Sequence, residues 1–186
     1  MASVREQRLE TDYRRLQALV AKSQGSITIE FAEGSPPDRY IINLRGRGVE
    51  KLDANERPVL RSEHRVRIYM PPRYPLDRVR VKMLTPIFHP HVWPTSEVCI
   101  GSDLLPGETL DVLVKRLLAL VKFDPRYFDF QSVAHQKAAT WAQKNLSIFP
   151  FDEVEEPFKP APPPIDDKPK PLFWRDTGPK VDWKEV

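Results

Sequence analysis

Cysteine is nearly absent from this chain: Cys99 is the only one in 186 residues. A lone thiol excludes an internal disulfide framework and fits a reducing, cytoplasmic compartment. No apolar run approaches the ~20 residues a membrane-spanning helix needs. The opening "MASVREQRLETDYRR" is charged and lacks the apolar stretch of a secretory signal. No run of lysine and arginine interleaves with aromatics. The charged residues of both signs are mixed, and the formal charge is only +3. That footprint argues against a nucleic-acid partner. The expectation is a chain with no membrane, nucleic-acid or cofactor requirement.

Hydrophobic residues make up 40% of the sequence, enough for one core with an appendage. Residues 3–23 read as a helix, because Leu9, Tyr13, Leu16 and Val20 recur at helical spacing. Four strand candidates follow: "SITIEFAE", "RYIINLRG", "HRVRIYM" and "VRVKML". Each alternates apolar and polar residues, the period of a strand with one buried face. The gaps hold turn chemistry such as "EGSPPD" and "PPRYP", with no helix between strands. This predicts an antiparallel meander in an α+β fold. The strongest helix is "TLDVLVKRLLALVKF", with Thr109 placed to cap it, Asp111 in its first turn and Pro125 ending it. A last helix is expected over Ser132–Asn145.

From Phe149 the character changes. Nine of the 20 prolines lie beyond it, and from Pro150 nine acidic residues face six basic ones. Proline-rich composition favours extended structure. A mere spacer needs no aromatics, yet Phe149, Phe151, Phe158, Phe173, Trp174 and Trp183 punctuate this one. The expected division is a domain over 1–147 and an extension over 148–186. In the extension, Phe173 or Trp174 is expected to bury against the domain or a partner.

Between the fourth strand and the strong helix lies "FHPHVWPTSEVCIG", part of a long irregular segment from about Thr85 to Gly107. Long loops in compact domains tend to carry function. His89, His91 and Cys99 could supply three ligands to zinc, but the proline between the histidines restricts their facing one ion, and no fourth ligand is near. A nucleophilic thiol is the second reading, since a loop before a helix offers exposure and backbone donors. A buried structural cysteine is the third.

The order of parts adds a resemblance. Residues 3–146 resemble the ubiquitin-conjugating enzyme family. A Tyr-Pro element stands after the third strand, in "MPPRYP" at Met70–Pro75. His89-Pro90 is followed by Cys99 ten residues after the histidine, in an "EVCI" context. An Asp-Pro-x-x-x-Asp stretch, "DPRYFD", runs from Asp124 to Asp129. The resemblance implies a UBC-like fold: an N-terminal helix, a four-stranded meander, an active-site loop, a crossover helix and a C-terminal helix. It implies that Cys99 accepts a ubiquitin-like modifier protein from an activating enzyme as a thioester. The modifier then passes to an amine on a target protein. It places Asp129 as the acidic residue beside the incoming amine and His89 with Pro90 as the loop's structural support. It also implies docking through Arg5, Arg8 and Arg15 on the first helix, and puts Leu76 at the usual ligase-contacting position.

The departures are specific. His91 stands where the family has asparagine, and imidazole can replace that amide as donor, act as a base, or do neither. The family's Tyr-Glu-Gly-Gly turn and the tryptophan after the cysteine are missing. Such divergence, with a proline-rich tail, is similar to the conjugating-like enzymes of bacterial antiphage operons. In related systems the conjugated protein is a cyclic-nucleotide synthase. Two other readings stay open: a non-catalytic binding scaffold of the same fold, and a Cys/His thiol hydrolase in which His91 reaches Cys99.

Overall fold

The computed structural model of the protein describes residues 2–100, 108–127 and 129–152. Helix α1 spans Val4–Lys22. It opens on a capping box: Ser3 Oγ accepts from Glu6 N–H, and the Glu6 carboxylate accepts from Ser3 N–H at 2.6 Å. Both orphan donors are thereby satisfied. The apolar stripe points inward, with Leu9 and Leu16 fully buried and Tyr13 and Val20 partly so. Asp12 is buried on the same face, which the stripe did not foretell.

Four strands follow in the order β1-β2-β3-β4, all antiparallel neighbours: Ile27–Gly34, Pro37–Leu52, Pro58–Tyr69 and Arg80–Met83. Ile42 sits opposite Val66, and Ile68 opposite Val81, so alternate residues of each strand share the inner face. Helix α2, Leu110–Val121, lays Leu113, Val114, Leu117 and Val121 onto that face, and α1 packs beside it.

Two elements differ from the sequence reading. β2 and β3 run well beyond the alternating segments, forming one long hairpin that closes at Asp53–Arg57. Register shifts between Arg45 and Gly48 and between Val49 and Lys51 break the period, so buried Val49 falls out of phase with Ile42 and Leu44. Gly48 is required there by close approach: a Cβ would stand 2.7 Å from the Val121 carbonyl oxygen. The last helix, α3, spans Gln136–Lys144 and starts later than Ser132. The Ala134 and His135 amides donate instead to the Pro90 carbonyl at 2.9 and 3.0 Å, and His135 Nδ1 caps Ala138 N–H at 3.0 Å.

A second, aromatic cluster lies under α3. Val49, Phe123, Trp141, Ala142 and Phe149 are buried in it, with Phe88, Phe130 and Phe151 packed around them. Asp152 takes hydrogen bonds from Arg47 N–H and Nε at 2.5 and 2.6 Å. Phe149, Phe151 and Asp152, at the start of the expected extension, thus contact the body. Phe173 and Trp174 lie outside the described residues. No helix among the described residues is long and apolar enough to cross a membrane.

Candidate active site

The cysteine-bearing loop is pinned at successive points. Phe88 N–H donates to the Val49 carbonyl at 2.7 Å, Met83 N–H to Ser96 at 2.8 Å and Val98 N–H to Val81 at 2.9 Å. A tight turn at Trp93–Glu97 reverses the chain, with Ser96 at φ 75°. The returning limb pairs with the outgoing one, Val92 facing Val98, and Cys99 N–H donates to the His91 carbonyl at 2.8 Å. Cys99 is half-buried, and among the described residues no hydrogen bond reaches its sulfur.

The His-Pro-His motif ties this loop to the segment before α3. His89 is fully buried; its Nδ1 accepts from His91 N–H at 3.0 Å, and its ring meets Phe123 edge-on at 4.6 Å. Pro90 receives the two amides that precede α3. His91 is 6% exposed, and its Nε2 accepts from Asp129 N–H at 3.0 Å. An accepting Nε2 leaves the imidazole proton on Nδ1. The thiol-hydrolase geometry needs His91 to bond the sulfur, and among the described residues no such bond is made; Nε2, the ring's acceptor, serves Asp129 N–H.

Burial pushes the His91 pKa down; the Asp129 carboxylate and the Ser132 backbone oppose this without cancelling it. Burial holds His89 well below the usual histidine range, with His91 adding to the effect. His64, whose Nε2 lies 3.0 Å from the Arg61 carbonyl, is also lowered chiefly by burial. All three are neutral in the folded chain at pH 7. The unfolded chain, with histidine near ~6.5, binds more protons once pH falls below that value. Stability is therefore complete above about pH 6.5 and declines as pH falls below it. Thermal melts are expected to shift downward between pH 7.5 and 5. His91→Asn, which keeps an acceptor for Asp129 N–H, is expected to flatten part of that slope. A melting temperature indifferent to pH over this range would contradict the assignment.

Asp129 is exposed, and its Oδ1 accepts from Gln131 N–H at 2.8 Å. Its backbone thus braces His91 while its carboxylate faces water. Asp124, five residues before, is buried and held by the Arg126 guanidinium at 2.8 Å. The two acids of "DPRYFD" are accordingly in opposite environments.

The residues expected to meet partners are placed unequally. Arg5 pairs with Asp38 at 2.8 Å and also reaches the Pro71 carbonyl. Arg8 pairs with Asp12 at 2.8 Å and donates to the Glu108 carbonyl. Both guanidinium groups are thus held against the body while remaining partly exposed. Arg15 makes no ion pair among the described residues. Leu76 is 75% exposed at the Tyr-Pro loop, and Trp93 on the cysteine loop is 47% exposed.

Sequence reasoning missed a buried polar knot. Asp12 accepts from Arg8 Nε at 2.8 Å, Tyr74 Oη at 2.6 Å and Leu110 N–H at 3.1 Å. It thereby caps α2, whose Thr109 makes no side-chain cap. The one available signal was the four-residue spacing of Arg8 and Asp12, which also fits a solvated helix face.

No group of three or more His, Cys, Asp and Glu among the described residues is arranged to hold a metal. His89 Nδ1 and His91 Nε2 already accept backbone amides. What the described residues define is an α+β protein, with an N-terminal helix, a four-stranded antiparallel sheet, later helices and a pinned loop bearing a half-buried thiol. Neither a protein-family profile nor a curated protein matches the chain.

Proposed function

We propose that this chain is a ubiquitin-conjugating-type carrier with a UBC-like fold, working in the cytoplasm. The carrying observation is Cys99: the sole thiol, half-buried rather than sealed in the core, ten residues past His89 on a loop fixed at several backbone points. In the first step the Cys99 thiolate attacks the carbonyl carbon of a modifier thioester on its activating enzyme. The enzyme's sulfur leaves and takes up a proton, and the modifier is now a thioester on Cys99. In the second step an amine of a target protein attacks that carbonyl and Cys99 leaves as thiolate. The amine loses its proton to a base.

Asp129 is suited to draw in the target's ammonium and to take its proton as the amine attacks, since its carboxylate is exposed and its own N–H braces His91. His91 acts as the brace between the loop and that segment, because its Nε2 is occupied as an acceptor. The bacterial antiphage setting rests on the sequence resemblance alone, as does a cyclic-nucleotide synthase as the conjugated protein. The test is to incubate the chain with candidate activating enzymes, modifier and ATP, then resolve it without reducing agent. A thiol-sensitive adduct is the expected result. Its absence, with an activating enzyme that charges itself, rejects the carrier reading in favour of a scaffold.

A further inference from the structure

Cys99 is anchored from the N-terminal side by its own amide on His91. On the other side follows Ile100, and the described residues resume at Glu108, just before α2. Arg116 on α2 reaches both ends of that interval. Its Nη1 donates to the Ile100 carbonyl at 3.4 Å. Its Nη2 pairs with the Glu108 carboxylate at 2.9 Å, and that side chain is 8% exposed against 25% for Arg116. A planar guanidinium with several fixed donors can span two acceptors, which the single ammonium of lysine does less well.

Glu108 is not a loose anchor. Its carbonyl takes a hydrogen bond from Arg8, and two residues on Leu110 N–H is capped by buried Asp12. The Arg116 clasp is thus tied to α2 and, through Arg8 and Asp12, to α1. Among the described residues, Arg116 is the one side chain hydrogen-bonded to the residue directly after Cys99, whose own side chain packs against the core.

We propose that Arg116 is a positioning residue for Cys99. It fixes the Ile100 carbonyl against Glu108, and so sets the direction in which the sulfur meets an incoming acyl carbon. The consequence for transfer rests on the carrier reading; the restraint on Cys99 does not. Misplacing a reacting atom by about 1 Å can cost up to ~100-fold in rate.

The test compares wild type, Arg116→Ala, Arg116→Lys and Glu108→Gln in two assays. The first is alkylation of Cys99 by iodoacetamide, which is unambiguous because no other thiol exists. The second is loading from a competent activating enzyme. Arg116→Ala is expected to be alkylated several-fold faster, because the half-buried thiol gains freedom. Its maximal loading rate is expected to fall about 10-fold, with the half-saturating concentration unchanged. Arg116→Lys is expected to recover only part of both effects. Glu108→Gln, which keeps the arginine, is expected to move both in the same direction by less, and it stands in if Arg116→Ala does not fold. Wild-type values in Arg116→Ala, or full recovery in Arg116→Lys, would overturn the proposal. A wild-type chain that loads nothing, while Arg116→Ala still changes alkylation, sinks the carrier reading and leaves the restraint on Cys99 standing.

Discussion

Cys99→Ser is expected to abolish the thiol-sensitive adduct and to accumulate, in its place, an adduct that survives reducing agent. The substitution removes one chemical property and little else. Serine preserves the backbone bond from residue 99 to the His91 carbonyl, and the side chain is only half-buried, so the loop should keep its shape. The hydroxyl is a weaker nucleophile than a thiol, but any ester it forms is less reactive toward an amine than a thioester. The forward path then stops at the intermediate. Mass spectrometry of the adduct reads the acylated residue directly. Since Cys99 is the only cysteine, a thiol-sensitive adduct on the serine variant would have to belong to another protein in the mixture. Retention of target modification by Cys99→Ser would sink the mechanism.

Phe149→Ala in the full chain is expected to lower the unfolding free energy by about 3 kcal/mol or more, the usual cost of truncating a buried phenylalanine. The sequence places this residue where the proline-rich extension begins, and an arm that merely leans on the domain would predict a change within about 0.5 kcal/mol. The structure puts it elsewhere energetically. Phe149 is 9% exposed, with ring centres 4.9 Å from Phe123, 5.8 Å from Trp141 and 5.2 Å from Phe151. Such packed aromatic pairs carry more than their buried area alone. Urea denaturation of the variant measures the loss; an unchanged midpoint would assign the aromatic cluster a smaller share of stability than its burial implies.

Local periodicity carried the sequence reading where one face of an element is simply apolar. The stripe Leu9, Leu16 and the alternation Ile42, Leu44 or Val66, Ile68 were legible because these residues are apolar and recur at the period of their element. Legibility failed where a polar residue is buried or a period is reset. Asp12 looks like part of a charged surface, and only tertiary structure brings Tyr74 and Leu110 N–H to it. The far half of the hairpin was hidden by the register shift before Gly48. The start of α3 depends on where the Ala134 and His135 amides go, and their acceptor, Pro90, lies more than forty residues earlier in the sequence.

The candidate site divides in the same way. The spacing of His89 and Cys99 can be read from the chain, but the direction of the His91 ring cannot. Donor, base and brace are equally compatible with the letters His-Pro-His. The bond from Asp129 N–H to Nε2 is visible only in the folded structure, and it supports the brace proposed above.

Phe123 is the ring on which two distant parts of the chain lean. His89 stands edge-on to it at 4.6 Å, and Phe149 packs against it at 4.9 Å. The thiol loop and the start of the C-terminal extension are therefore mechanical neighbours in series, with one side chain as the coupling. A molecule that pulled Phe149 away would remove a support from the ring that holds His89, two residues from the brace at His91. A binder that displaced Phe149 is thus expected to loosen, through one ring, the footing of the cysteine loop.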